Sequence, residues 1–231
     1  MPRISRFLHV STVAIGLIVP AIHAQNAQTD KPLLENDRVR VTRVDLPKGE
    51  FLPDDNRFDA ITVKLQAGET ALTEPGKMEK TDKSSLDDSH YFIAGSQRRV
   101  KNLEKNTLPF VEIQFLQPQG KYAPIDVPES HYCNPGSTKK CVTERYLFCT
   151  DRFCAETVTL EPGAVSTQHT HDADYMVVAT SDFSWSNEPV GKPAVQEKFK
   201  IGDVRYIDAG GTHRLVNNGG TTVRLFVVQF K

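Results

Sequence analysis

The chain has 231 residues, of which 39% are hydrophobic, 8% aromatic and 25% charged, and its formal net charge is −1. That length is ample for a buried core in one large or two small domains. Near-balanced charge without a basic cluster excludes nucleic acid as the partner, because a nucleic-acid surface needs a concentrated positive face.

At the start, Arg3 and Arg6 precede a short apolar run over residues 13–21, and Ile22, His23 and Ala24 offer a cleavage site before Gln25. This is the pattern of a secretory signal peptide over residues 1–24. The apolar run is shorter than the ~20 residues a bilayer span needs, so the mature chain is expected to carry no stable membrane span. A periplasmic or secreted protein follows; an uncleaved anchor is the alternative. Cleavage removes two arginines and no acidic residue, taking the net charge from −1 to −3.

From residue 33 onward, short alternating runs such as 111–115 and 203–207 are separated by clusters of Gly, Pro, Asn and Asp. No stretch sustains a helical period, so the pattern predicts an all-β barrel or sandwich. The chain also matches itself. At an offset of 114, Val44 meets Val158, Leu46 meets Leu160 and Gly49 meets Gly163; at 115, Tyr91 meets Tyr206, Gly95 meets Gly210 and Asn102 meets Asn217. Two blocks in near-constant register predict a tandem repeat, with one unit at 33–118 and the other at 143–231.

Residues 119–142, between the units, are rich in Pro, Gly and polar residues and read as a linker or wrapped loop. The four cysteines are Cys133, Cys141, Cys149 and Cys154. An even count in an exported chain favours two disulfides over free thiols. Zinc is the competing reading, weakened by the lack of a C-x-x-C pair. Three pairings are open to four cysteines. Cys149 with Cys154 suits a tight reversal between two strand-like runs, and Cys133 with Cys141 would close the loop at 134–137. Each bridge would contribute about 2–3 kcal/mol.

His169 and His171 lie two apart, so on a strand they face the same side. His213, from a distant strand, would complete a three-nitrogen face, the usual minimum for a divalent transition metal with positions left open. Iron, manganese, zinc, copper and nickel all accept imidazole, so the set does not name its metal. In the bland alternative the histidines line a polar pocket that has lost its metal.

The arrangement resembles the two motifs of the cupin family. Gly163, His169 and His171 fit the first, G-x5-H-x-H; Gly202, Gly210, His213 and Asn217 fit the second, with Asp208 where a proline usually stands. The first motif's glutamate is missing: Tyr175 or Met176 takes its place, depending on the gap, and Asp182 replaces the closing glycine. Counting by twos from His171 sets Tyr175 on the inward face, and Asp174 would reach the site only through a bulge; either is an alternative additional ligand beside the three histidines. The resemblance implies two tandem jelly-roll barrels, a bicupin, with a metal on His169, His171 and His213. It further implies a small organic substrate and Tyr175 as acid, base or orienting hydroxyl. Cupins include dioxygenases, isomerases and lyases, so the reading is a metal-dependent enzyme, with an oxygenase among the options. The alternative is a non-catalytic ligand-binding or scaffold bicupin.

In the first repeat, Asp55 and Arg57 replace His169 and His171, and Arg98 replaces His213. A guanidinium has no lone pair to give a metal. The first barrel is therefore expected to be structural, packing on the second or forming a homo-oligomer interface. An anion gripped by Arg57 and Arg98 is the competing reading. Phe183, Trp185, Tyr206, Leu215, Leu225 and Val227 are expected in the core.

Overall fold

The computed structural model describes residues 31–53, 57–97, 99–117, 120–123 and 129–231. The expected signal peptide, Asp55 and Arg98 lie outside the described residues. Among those described, every regular element is a strand, and no helix is long and apolar enough to cross a membrane.

The first half forms β1 (Leu34–Glu35), β2 (Val39–Leu46), β3 (Asp59–Lys64), β4 (Gly68–Thr73), β5 (Lys80–Ser84), β6 (Ser89–Phe92), β7 (Arg99–Asn102) and β8 (Leu108–Phe115). They make two sheets, β1-β2-β8-β3-β6 and β5-β4-β7. Next come β9 (Tyr122–Ala123), β10 (Glu129–Cys133), β11 (Cys141–Thr150), β12 (Phe153–Leu160), β13 (His169–Thr170) and β14 (Tyr175–Ala179). The last are β15 (Phe183–Pro189), β16 (Val195–Phe199), β17 (Val204–Ile207), β18 (Thr212–Val216) and β19 (Val223–Phe230). The order β2-β8-β3-β6 recurs as β12-β19-β14-β17, and β5-β4-β7 recurs as β16-β15-β18. Register repeats too: Val39 faces Phe115 as Phe153 faces Phe230.

Part of the segment expected as a linker, 119–142, is sheet instead. β10 pairs with β11 from Glu129↔Arg145 to Cys133↔Cys141, widening the second unit's sheet. Composition favoured a loop, but a strand's identity depends on its partner, here supplied by residues 141–145. Both favoured disulfides are present, Cys133–Cys141 and Cys149–Cys154. Each staples an antiparallel hairpin. With all four thiols bonded, the zinc reading of the cysteines falls.

β3 and β14 are buried at every position, because each of their faces has a different cover. Val41, Ile61, Val63 and Ile113 of the first unit meet Met176, Val178, Phe226 and Val228 of the second in a single apolar cluster. Phe115 stacks on Phe153 with ring centroids 4.1 Å apart. The alternate residues turn inward. Tyr175, Val177, Leu225 and Val227 line the second unit's own core, and Val44, Leu46, Leu108 and Phe110 the first unit's. Full burial of such side chains contributes ~1.5–3 kcal/mol each, so the shared cluster ties the two units together. Of the expected core residues, Phe183, Trp185, Leu225 and Val227 are buried in the second unit's core and Leu215 packs against it, whereas Tyr206 packs against the shared cluster.

The motif glycine and asparagine form a clasp present in both units. Asn217 Nδ2 donates to the carbonyls of Leu160 and Thr221, both at 2.9 Å; Asn102 Nδ2 donates to those of Leu46 and Asn106, also at 2.9 Å. Gly163 N–H donates to Asn217 O and Gly49 N–H to Asn102 O. Both glycines are left-handed, with φ of 76° and 75°, a conformation that disfavours any side chain.

Candidate metal centre

β13 and β18 bring the histidines together by pairing, with His169 directly opposite His213. His171 follows at the end of β13. Its N–H donates to Gly211 O, and its carbonyl accepts from Gly210 N–H, so the turn before His213 is tied to it. The three Nε2 atoms converge: His169 to His171 is 3.1 Å and His171 to His213 is 3.2 Å.

Their outer nitrogens set the tautomers. His169 Nδ1 is 2.9 Å from Thr167 O, and His213 Nδ1 is 2.9 Å from Asn187 Oδ1. Both partners accept, so Nδ1 carries the proton and Nε2 keeps its lone pair. Burial, then the neighbouring His169, pushes His213 down to about 4; burial and the neighbouring His169 and His213 do the same to His171. Lone-pair nitrogens in such contact fit a cation at their focus. Ligands ~2.0–2.1 Å from one ion would stand roughly 3–3.4 Å apart. The donor set therefore fits a divalent transition metal.

Tyr175 is inward, as the alternation predicts, and its ring stacks on His171 with centroids 3.8 Å apart and an interplanar angle of 19°. Among the described residues its hydroxyl has no hydrogen-bond partner. Burial and the carboxylate of Glu197 push its pKa up to about 12, so it is a neutral donor. Asp174 is not at the centre. β14 runs in unbroken register against β19, so no bulge brings it there. Its carboxylate instead accepts from Tyr206 Oη (2.8 Å) and Ala209 N–H (2.9 Å). The first unit repeats this latch with Asp59, Tyr91 Oη (2.5 Å) and Ala94 N–H (2.8 Å).

A cavity of about 880 Å³ opens on the histidines. Besides them and Tyr175, its walls include Glu197 and, from β11, β12 and β19, Glu144, Tyr146, Glu156 and Gln229. Glu197 accepts from Trp185 Nε1 (2.6 Å) and Arg205 (2.8 Å). Glu156 is 4% exposed, and burial pushes its carboxyl up to about 7 against the pull of Gln229 Nε2, which donates at 2.6 Å. None of these wall acids was marked by the sequence motifs. A signal existed, since Glu197 shares its face with Phe199, and Glu156 with Val158 and Leu160.

Among the described residues no such constellation forms in the first unit. Arg57 is exposed, its guanidinium 5.5 Å from the Phe58 ring. Two other groups of metal-capable side chains occur among the described residues. One contains the disulfide-bonded Cys133 and Cys141 with His131. The other is Asp82, Asp88 and His90, with His90 Nε2 3.6 Å and 3.9 Å from the two carboxylates. Beside it the buried Lys64 ammonium, donating to Thr70 Oγ1 at 3.0 Å, already supplies a cation.

No family model matches the chain, and no curated protein sequence matches it. Solved structures do. A cupin 2 conserved barrel domain protein from Leptotrichia buccalis is 13% identical with a TM-score of 0.54, covering 86% of each chain. A putative glyoxylate-induced protein from Pseudomonas aeruginosa is 13% identical with a TM-score of 0.63, covering 84% of this chain and 75% of its own. Oxalate decarboxylase from Bacillus subtilis, a protein with Mn(II) centres, is 13% identical with a TM-score of 0.56, covering 84% of this chain and 69% of its own. At such identities the likeness is one of fold: the chain is built of cupin-type jelly-roll barrels.

Proposed function

We propose that the protein is a metal-dependent bicupin enzyme acting on a small organic substrate. A structural barrel at 33–118 supports a metal-bearing barrel at 143–231, and His169, His171 and His213 hold a divalent transition metal through Nε2. The observation that carries this is the convergence of the three Nε2 atoms at 3.1 and 3.2 Å on the wall of a cavity of about 880 Å³. Iron, manganese, zinc, copper or nickel would supply Lewis-acid polarisation of a bound oxygen, and the redox-active ones electron transfer as well. Three protein ligands on one face leave positions for substrate and dioxygen, which supports an oxygenase.

The chain's own residues do the rest. Thr167 O and Asn187 Oδ1 hold the tautomers that present Nε2 inward. Tyr175 keeps its proton at neutral pH and is the catalytic donor, able to hydrogen-bond or protonate a substrate oxygen beside His171. Val177, Trp185 and Leu225 give the cavity an apolar stretch of wall. Two disulfides suit an oxidising compartment, and with the signal pattern at 1–24 they support a periplasmic or secreted protein.

Elemental analysis of the purified protein and of His171→Ala tests the reading. About one metal per chain is expected in the parent, with at least a tenfold loss in the variant. Equal and negligible metal in both would overturn it in favour of the non-catalytic, ligand-binding alternative.

A further inference from the structure

The cavity has two chemically different ends, and the resemblance accounts for one of them. A different sheet from that of the histidines contributes Glu144, Glu156, Tyr146 and Gln229 to the same cavity. β11, β12 and β19 place them there: Glu144, Glu156 and Gln229 take inward positions on these three adjacent strands, with Glu144 facing Val158 and Gln229 facing Tyr175 in register. Gln229 thus sits between the two ends.

Buried carboxylates normally find full partners. Glu156 Oε1 accepts from Gln229, but no other hydrogen bond reaches this carboxyl among the described residues. Tyr175, 8% exposed, likewise brings an unpartnered hydroxyl to the same cavity. Glu144 already accepts from Ser130 Oγ (3.0 Å) and Tyr132 Oη (3.3 Å), so the acceptor left open on this wall is the second oxygen of Glu156. The cations of the wall do not answer the acids. Arg205 is bound to Glu197 at 2.8 Å and lies over the Phe199 ring, and Lys192 is exposed.

We propose that the Glu144–Glu156 wall is the recognition subsite for the end of the substrate remote from the histidines, and that it selects a hydrogen-bond donor there, hydroxyl or amine, over a carboxylate. This rests on the metal-centre reading for the near end. It separates the substrate from a small dicarboxylate, whose far end would meet like charge with no paired cation.

Calorimetric titration with three four-carbon acids that share one carboxylate and differ at the far end tests this: γ-hydroxybutyrate, γ-aminobutyrate and succinate. Zinc-loaded protein at pH 8 is expected to bind succinate at least about tenfold more weakly than either donor. The order of hydroxyl and amine tells which donor the subsite prefers. Glu156→Gln should bring succinate within about threefold of the hydroxy acid. Glu144→Gln, on the less buried acid, should shift the ratio in the same direction and guards against a fold defect in the first variant.

Succinate binding as tightly as the donors in the parent, no binding of either donor at millimolar concentration, or a ratio unmoved in both variants would overturn the subsite. Failure of the metal reading has a different signature: no retained zinc and titrations unaffected by it. The same three acids are then ranked on metal-free protein, where the donor preference is expected to persist and its absence counts against the subsite.

Discussion

Asn102 and Asn217 close their respective repeats with the same pair of carbonyl hydrogen bonds, and Asp59 and Asp174 latch the same tyrosine and the same turn amide. Within these shared clasps the interiors diverge. Where the second repeat has Ala179 and an open cavity, the first places Lys64, fully buried and hydrogen-bonded to Thr70. Where the second lines its sheet with Glu156, the register sets Thr42 in the first. The residues that resemble the family motifs thus form two separable sets. Glycines and asparagines build the barrel in both repeats; the histidines serve only the second. A lost ligand set does not cost the fold, because no clasp passes through it.

Four substitutions probe how far the two repeats behave as one body and where they part. The largest effect is expected at the core they share. Phe226→Ala empties a fully buried site between the sheets and should destabilise the protein by about 3–5 kcal/mol. Urea unfolding followed by both fluorescence and circular dichroism should still show one transition. Two resolved transitions in the parent would mean that the repeats fold separately.

Next come the clasps. Asn102→Ala and Asn217→Ala each strand one buried carbonyl, of Leu46 or Leu160, and release a second at the exposed Asn106 or Thr221, and each should cost about 2–4 kcal/mol. Near-equal losses, with metal content untouched in the Asn102 variant, would bear out the equivalence. A loss confined to the second repeat would break it.

The smallest effect separates the interiors by pH. Burial pushes the Glu156 carboxyl up to about 7 in the folded chain, against an ordinary 4.5. Between these values the folded state retains a proton that the unfolded chain has released, so stability falls as pH rises through the window. The loss is at most about 3 kcal/mol and is absent below it. Glu156→Gln should flatten that slope, gaining on the parent between pH 4.5 and 8 in denaturant titrations. An unchanged slope would place the proton elsewhere.

Much of this was legible in the residues. Period-two alternation marked the strands, and the self-match at offsets of 114 and 115 located the repeat. The i, i+2 spacing put His169 and His171 on one face, and the same parity set Tyr175 inward and Asp174 away. Local geometry suffices for such inferences, because a strand's two faces are set by the backbone itself. The reversal at 149–154 and the loop at 134–137 pointed to the disulfides for the same local reason.

Other features depended on parts of the chain far apart in sequence. Residues 129–133 became a strand because 141–145 lay alongside; composition could not anticipate a partner. Tyr206 went to the shared core rather than its own barrel because the outer face of β17 is covered by the other repeat. Glu144 and Glu156 join the histidines only because β11, β12, β13 and β18 curl around one cavity, bringing residues between 13 and 69 positions apart into one lining. Which groups could act as ligands was written in spacing and side-chain chemistry, since both are local. What those groups face was decided by closure of the barrel, since proximity across a cavity has no counterpart along the chain.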